Sequence, residues 1–303
     1  MKLIKQSFEI LEQKDFTLVG IKKFIERCGR VCYKSEDKIT DNSYEKFVNM
    51  LERRDHARPL EFGTVHLKMN SSDFNKIRST LCLNKIYNDQ WIKHYYVGDV
   101  TYVTTNYRYY LNILNIFPKV EKFFTDEDNE YYPKRYTVHF VTNRVTMDSF
   151  RTHVALSHLG ESTRYCSYNK NKFNNEIIFV IPPFCPDLVE GNSYDLSICK
   201  YGLIQTENLS EKSAKWVESM CQAEQDYMDL INNGCIAQEA RDVLPLGIKS
   251  ELISCGFEDA WENFMRRRSP KYGDPGAHPM AAEIADKLCE EFLKRGFIDE
   301  KKI

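Results

Sequence analysis

The sequence predicts an α+β domain in which an antiparallel or mixed sheet is flanked by helices. Two segments alternate apolar and polar residues as strands do, one over 62–69 and one through Val138 and Phe140. A third has apolar residues at spacings of four and three, which gives a helix one buried face: Trp216, Met220, Ala223, Tyr227 and Leu230. No repeat or linker interrupts the 303 residues, so we expect a single domain over 1–303.

The first half of the chain is expected to alternate between helix and strand. Residues 41–54 read as a helix, because Asp41 or Ser43 can cap its start. Residues 70–133 are predicted to form a helical insert that ends in a solvated acidic loop. The strand through Phe140 then leads to Asn143.

The second half is expected to be mainly helical. Residues 147–157 fit a helix or turn, 174–182 fit a strand, and 186–208 fit a loop. Beyond Gly234 we predict a helix on each side of Pro245, since the proline ring removes a backbone donor and breaks a helix there. The last segments read as helix 257–268, loop 269–276 and a final helix through 284–292.

Composition excludes two classes of partner. The formal net charge is −2 and the pI is near 6.4, so no overall positive field is present to hold polymeric nucleic acid. No apolar stretch approaches the roughly 20 residues that a membrane span needs. The first residues also lack the apolar core of a signal peptide. We therefore expect a cytoplasmic protein with no membrane and no polymeric nucleic-acid partner.

The ten cysteines form no metal or disulfide pattern. Cys28 and Cys32 have no second pair at zinc-site spacing, and the others are scattered. Small buried apolar residues in a reducing compartment are distributed in this way. Cys166 and Cys185 are the two thiols to consider as nucleophiles, but no motif surrounds either. No metal site is expected.

Three polar clusters carry the chemistry that the sequence offers. The first, residues 161–168, reads Glu-Ser-Thr-Arg-Tyr-Cys-Ser-Tyr and follows a run that includes His153. Its arginine and hydroxyls are donors that match a phosphate group. The second reads Ala-Arg-Asp-Val-Leu-Pro at 240–245, and the third runs from Asn263 to Arg268. Each cluster alone is explained by solvated ion pairs, but the three together indicate a site for a small anion.

In that order the clusters resemble the flavin-dependent thymidylate synthase family. The family's signature has Arg-His-Arg, seven residues, and then Ser-x-Arg, and Ser162 and Arg164 match its second part. The segment 240–245 matches the family's Ala-Arg-x-x-Leu-Pro, and Arg268 keeps the family's register from Arg241. Upstream, residues 59–65 resemble a further family segment.

The resemblance implies an enzyme that binds a pyrimidine nucleotide monophosphate, dUMP, and converts it to dTMP. Ser162 and Arg164 would bind the phosphate and ribose, joined by Arg241 from another subunit of a homotetramer. Arg268 would contact the uracil carbonyls and polarise the ring. The implied catalytic residues are therefore Arg268 and Ser162, the serine as a positioning residue. Glu161 would border both the nucleotide and the flavin.

The resemblance also implies FAD as cofactor, with NADPH and methylenetetrahydrofolate as co-substrates. The cofactor-binding residues would be His153, Glu161, Asn263 and His278. Counting back from Ser162, however, Thr152 and Val154 occupy the places of the two signature arginines. Arg266 and Arg267 could equally be solvent-exposed side chains without a function. His153 could equally have a structural role instead of binding a cofactor.

Three hypotheses follow from the altered signature. The chain is a divergent synthase in which Arg144, Arg151 or the insert supplies the missing charge. Alternatively, it modifies C5 of a pyrimidine nucleotide in another way, or it is a nucleotide-binding homologue without catalytic activity. We adopt the first.

Overall fold

The computed structural model describes residues 1–162, 176–200, 203–204 and 209–303. The strands are β1 (Lys2–Ile4), β2 (Ser7–Leu11), β3 (Thr64–Asn70), β4 (Ile92–Val97), β5 (Val100–Asn106), β6 (Phe124–Thr125), β7 (Arg135–Asn143), β8 (Ser157–Gly160), β9 (Ile178–Val180), β10 (Cys199–Lys200), β11 (Leu203–Ile204) and β12 (Lys249–Phe257). The α-helices are α1 (Leu18–Tyr33), α2 (Ser43–Arg53), α3 (Ser71–Leu83), α4 (Tyr107–Ile116), α5 (Arg144–Phe150), α6 (Glu211–Asn232), α7 (Ala237–Ala240), α8 (Glu258–Arg268) and α9 (Pro279–Lys294). Among these residues, no helix combines the length and apolar character needed to span a bilayer.

Two four-stranded antiparallel sheets form the frame. The first has the order β2-β7-β12-β8 and the second the order β4-β5-β3-β6. The longest pairing joins β7 to β12, from Arg135 opposite Phe257 to Asn143 opposite Lys249. A short parallel pair, β1 with β9, lies beside them. Helices pack on both sheets, so the predicted α+β fold is confirmed.

β12 is a central strand that is buried on both faces. Ile253 and Cys255 pack with Phe24 of α1 on one side. Leu252 packs on the other side with Trp261 of α8. A strand covered on both sides shows no alternation of polar and apolar residues. For this reason the prediction of a helix after Pro245 is wrong.

Most other predicted elements are found close to their expected positions. α2 has Asn42 as its N-cap instead of the expected Asp41 or Ser43. α8 ends at Arg268 as expected, and α6 and α9 match their predicted helices. The strand predicted over 174–182 is shorter, Ile178–Val180. The loop predicted over 186–208 contains the short pair β10 and β11.

The segment predicted as a helical insert contains strands as well as helices. α3 and α4 are helical, but β4 and β5 form a hairpin within the second sheet. Its turn is Gly98-Asp99, with Gly98 at a φ of 59° and Val97 paired to Val100. Gly-Asp between apolar runs is a hairpin signal. The prediction of helix is therefore wrong over 92–106.

The chain enters the second sheet at β3, directly after Gly63, and returns to the first sheet at β7, which begins at Arg135. Hydrogen bonds join these two places. Arg135 Nη2 donates to the carbonyl oxygen of Glu61 at 2.7 Å, and its Nη1 donates to Thr64 Oγ1 at 3.0 Å. The Tyr107 amide donates to the Gly63 carbonyl at 2.8 Å. The Arg135 bonds tie the two sheets together, whereas the Tyr107 bond fixes the start of α4 beside β3. The single domain over 1–303 stays a prediction.

Asparagines end three strands and begin the helices that follow. The side-chain oxygens of Asn70, Asn106 and Asn143 each accept a hydrogen bond from the amide three residues on, at 2.8 Å. A cap of this kind contributes about 1 kcal/mol. Asn143 thereby fixes the start of α5, and the turn that contains His153 follows directly after α5.

His66 on β3 lies buried between two aromatic rings. Its imidazole stacks on Phe16 and on Tyr132, with ring centroids 4.4 and 4.0 Å apart. Its Nδ1 lies 2.9 Å from the carbonyl oxygen of Glu127. Burial lowers the pKa of His66 from 6.5 to about 4.

We predict that His66→Phe flattens the pH dependence of stability. The unfolded chain takes up a proton at His66 below pH 6.5, whereas the folded protein does so only below about 4. The free energy of unfolding of the wild type therefore falls as the pH drops through this window, by up to about 3 kcal/mol from this residue. Urea unfolding across the window measures the slope. Equal slopes for the variant and the wild type would contradict the prediction.

Candidate active-site cleft

A cleft of about 710 Å³ opens between the turn after α5 and the C-terminal end of α8. Its walls come from residues 152–155, from α8, and from the loop that precedes α9. Four residues predicted for the site line it together: His153, Asn263, Arg268 and His278. The fold therefore brings distant segments of the chain to one place.

Arg268 is held at the cleft by three hydrogen bonds. Its Nε donates to His153 Nε2 at 2.8 Å. Its Nη2 donates to the carbonyl oxygen of Ser149 at 2.8 Å and to Thr152 Oγ1 at 3.1 Å. Because two of its three nitrogens hold the side chain in place, Nη1 is the nitrogen left to contact a ligand.

His153 is neutral in this arrangement. An arginine Nε can only donate, so His153 Nε2 accepts and the ring proton lies on Nδ1. Burial, together with the charge of Arg268, lowers the pKa of His153 to about 4. Its ring also packs on Phe264, with centroids 4.9 Å apart.

His158 fixes the backbone of the same turn. Its Nε2 donates to the His153 carbonyl at 2.9 Å, and its Nδ1 lies 2.8 Å from Ser254 Oγ. Burial lowers the pKa of His158 to about 4, which keeps the ring neutral. Ser254 is the β12 residue opposite His158 on β8. The central strand thus positions the turn, a role for His158 that the sequence motifs did not reveal.

Asn263 and His278 complete the walls. Asn263 lies on the exposed side of α8, one turn before Arg267. His278 is the N-cap of α9, where its Nδ1 accepts a hydrogen bond from the Met280 amide at 3.2 Å. Its Nε2 is therefore the ring nitrogen left to contact a ligand.

Glu161 lies at the other end of β8, in a buried charge network. Its Oε2 accepts from Lys249 Nζ at 3.1 Å, and its side chain is 2% exposed. Lys249 also pairs with Glu251, which contacts Lys34 and accepts from His139 Nε2 at 2.9 Å.

The charges of this network decide which of its groups are ionised. Burial alone would raise the pKa of Glu251, but the His139 hydrogen bond and the two lysines hold it well below its usual range. Burial alone would lower the pKa of Lys249, but Glu161 and Glu251 raise it. Glu251 and Lys249 are therefore both ionised at neutral pH.

The other predicted nucleotide residues do not line the cleft in the described chain. Ser162 follows Glu161, and its amide donates to the Cys32 carbonyl at 3.2 Å. Arg241 begins a short 3-10 helix, Arg241–Val243, directly after α7. Arg164 lies outside the described residues.

A second buried carboxylate, Glu61, links the two sheets beside another cleft. Glu61 accepts from Arg108 Nη1 at 2.6 Å, from Arg58 Nη1 at 3.1 Å and from Ser157 Oγ at 2.6 Å. The adjoining cleft of about 470 Å³ is lined by both arginines and by Cys32. Arg108 lies on α4, which directly follows β5 of the second sheet. The segment predicted as an insert therefore contributes a cation beside the first sheet.

Cys185 is not supported as a nucleophile. Burial raises the pKa of the Cys185 thiol, which is the opposite of activation. Cys166 lies outside the described residues. Within the described residues, no group of His, Cys, Asp and Glu has the geometry to hold a metal ion.

The cleft residues fit a flavin in size and hydrogen bonding. Pockets of about 300–1,000 Å³ hold small ligands and cofactors. The Asn263 amide and the His278 ring offer polar contacts. Thr152 is already bonded to Arg268, and Val154 presents an 82% exposed apolar side chain. Among the described residues that line the cleft, the cations are Arg267 and Arg268 at the end of α8.

Residues 134–295 match the family model described as Thy1, thymidylate synthase complementing protein. The chain belongs to this family. The matched stretch contains every predicted site residue, from His153 to His278, and it leaves out the second sheet. The family inferred from the three sequence clusters is thereby confirmed.

Two similar solved structures are of the UMP/dUMP methylase PolB from Streptomyces cacaoi. One is bound with 5-Br dUMP and has 15% identity and a TM-score of 0.42, covering 100% of this chain and 95% of its own. The other is bound with 5-Br UMP and has 13% identity and a TM-score of 0.43, covering 100% and 94%. Nothing about the site follows from a likeness at this level. No curated protein matches the sequence.

We predict that Lys249→Met lowers the free energy of unfolding by about 3 kcal/mol at neutral pH, because removing one partner leaves a buried carboxylate without its cation. Lys287→Met is the matched control, since its pair with Glu283 is exposed and such pairs contribute at most about 1 kcal/mol. Chemical denaturation measures both. Equal losses in the two variants would show that Lys249 does not stabilise the network.

Proposed function

We propose that the protein transfers a one-carbon unit to C5 of dUMP and yields dTMP. Reduced flavin serves as hydride source and methylenetetrahydrofolate as carbon donor. Two findings support this proposal: membership of the thymidylate synthase complementing protein family, and the cleft that gathers His153, Asn263, Arg268 and His278. The observation that carries it is the fixed guanidinium of Arg268 at the cleft wall.

Arg268 activates the pyrimidine in this proposal. C5 of uracil is a poor nucleophile until electron density is drawn toward the ring carbonyls or hydride is added at C6. A guanidinium whose Nε and Nη2 are fixed presents Nη1 to a carbonyl oxygen without losing conformational entropy at that moment. Neutral His153 holds the guanidinium and adds no competing charge.

The remaining residues would bind the ligands. His153, Asn263 and His278 would hold the flavin, which when bound would supply the hydride. Glu161 lies outside this cleft, so it would border the ligands beside Ser162 only in a site completed by a second copy of the chain. Ser162 and Arg164 would take the phosphate and ribose. Methylenetetrahydrofolate would supply the one-carbon unit for C5, and NADPH would supply the reducing equivalents.

A second copy of the chain would complete the site. Ser162 and Arg241 lie away from the cleft lining of the described chain, and the family resemblance assigns Arg241 to a neighbouring subunit. We therefore propose a homotetramer with shared sites. We also expect the protein to be cytoplasmic.

One observation favours a second candidate. Thr152 and Val154 leave the signature without its two arginines, so the chain could bind a pyrimidine nucleotide without FAD. It would then modify C5 in another way or have no catalytic role. Nucleotide binding by a protein that never takes up flavin distinguishes this candidate from the first.

The test is spectroscopic. Purified protein is mixed with FAD, reduced with NADPH, and then given dUMP and methylenetetrahydrofolate, while flavin absorbance and dTMP are followed. We predict bleaching of the flavin band by NADPH, recovery of the oxidised band and formation of dTMP.

Arg268→Gln should reduce turnover by about 100-fold or more, as loss of a transition-state donor does. Arg266→Gln is the control, because Arg266 binds the Lys302 carbonyl instead.

A protein that binds dUMP but retains no flavin after unbound FAD has been removed would overturn the synthase proposal. Equal turnover by Arg268→Gln and the wild type would overturn the role of Arg268.

A further inference from the structure

The three arginines that end α8 have different surroundings. Arg266 donates to the carbonyl oxygen of Lys302 at 2.5 Å. Arg268 donates to His153, Ser149 and Thr152. Arg267 lines the cleft and has no hydrogen bond or ion pair with any described residue.

Helix stability accounts for part of this pattern. Cations in the last turn of a helix interact favourably with its dipole, which explains why all three positions tolerate arginine. It does not explain why one of them lines the cleft wall. The charge of Arg267 also reaches into the site: after burial, Arg268 and His158, it is a further cause of the lowered pKa of His153.

The cleft has an excess of positive charge at this wall. Arg267 and Arg268 line it against one carboxylate, Asp274. The guanidinium of Arg268 is mostly engaged by protein groups. On the opposite wall, Thr152 and Val154 supply no charge. Arg267 is therefore the residue of this wall with a complete set of donors for an anion.

We propose that Arg267 is the phosphate-recognising residue of the cleft, and that it supplies from α8 the charge absent at Thr152 and Val154. The ligand class is a phosphate ester, either a flavin nucleotide or a pyrimidine monophosphate. This inference rests on the proposed function. A planar guanidinium forms a fork of two bonds to phosphate, which lysine cannot reproduce.

The test measures binding to two pairs of probes by titration calorimetry: FAD with riboflavin, and dUMP with deoxyuridine. Only the first member of each pair carries phosphate. Arg267→Gln should weaken the phosphorylated member of one pair by about 10–100-fold, since a charge-assisted hydrogen bond contributes roughly 1.5–3 kcal/mol. It should leave riboflavin and deoxyuridine unchanged. The pair affected identifies the source of the phosphate.

Two further variants sharpen the result. Arg267→Lys keeps the charge but loses the fork, so its affinity should lie between those of the wild type and Arg267→Gln. Arg266→Gln removes the neighbouring charge and should leave all four affinities at wild-type values. Arg267 is exposed, and Arg267→Lys keeps the charge that interacts with the helix dipole, so Arg267→Lys should leave the denaturation midpoint unchanged.

The outcomes separate the two proposals. Unchanged affinities in Arg267→Gln, or equal weakening of both members of a pair, would overturn the role of Arg267 alone. A wild-type protein that binds neither FAD nor dUMP would overturn the proposed function and this inference with it.

Discussion

The register of β12 is the constraint on which the rest of the structure depends. Its pairing with β7 and β8 sets where α8 begins, and Ser254 opposite His158 sets where the His153 turn lies. A slip of one residue would exchange the faces of Leu252 and Ile253 and misplace both walls of the cleft. The His153 turn and α8 are therefore both positioned by a sheet that is covered on both sides.

Charge is balanced where it supports the fold and left in excess where a ligand would bind. Glu161 is neutralised by Lys249 at one end of β8, and Glu61 is neutralised by two arginines where the second sheet joins the first. Buried charges need such partners, since an unpaired one costs several kcal/mol. In the cleft, Arg267 and Arg268 outnumber Asp274. This imbalance is the basis of our proposal that the cleft binds an anionic ligand.

The sequence predicts those features that have a local pattern. Half-buried strands such as β7 and the amphipathic α6 show their periodicity. The residues gathered in the cleft were predicted from the resemblance of three sequence motifs to the flavin-dependent thymidylate synthase family. β12 has no alternation because both of its faces are covered. His158 bonds to the backbone carbonyl of His153, and Ser149 accepts from Arg268 through its own backbone carbonyl. Every residue has such a carbonyl, so the sequence does not indicate these contacts. Arg108 meets Glu61 only because the second sheet folds back on the first.

The central claim is that the pyrimidine binds between the His153 turn and the end of α8. Crystallography with 5-bromo-dUMP tests it most directly, because bromine gives an anomalous signal that marks the ring. The account predicts a bromine peak inside the cleft bordered by His153, Asn263 and Arg268. A peak in the cleft of about 510 Å³ beside His66, or in the cleft of about 470 Å³ beside Arg58, would contradict it.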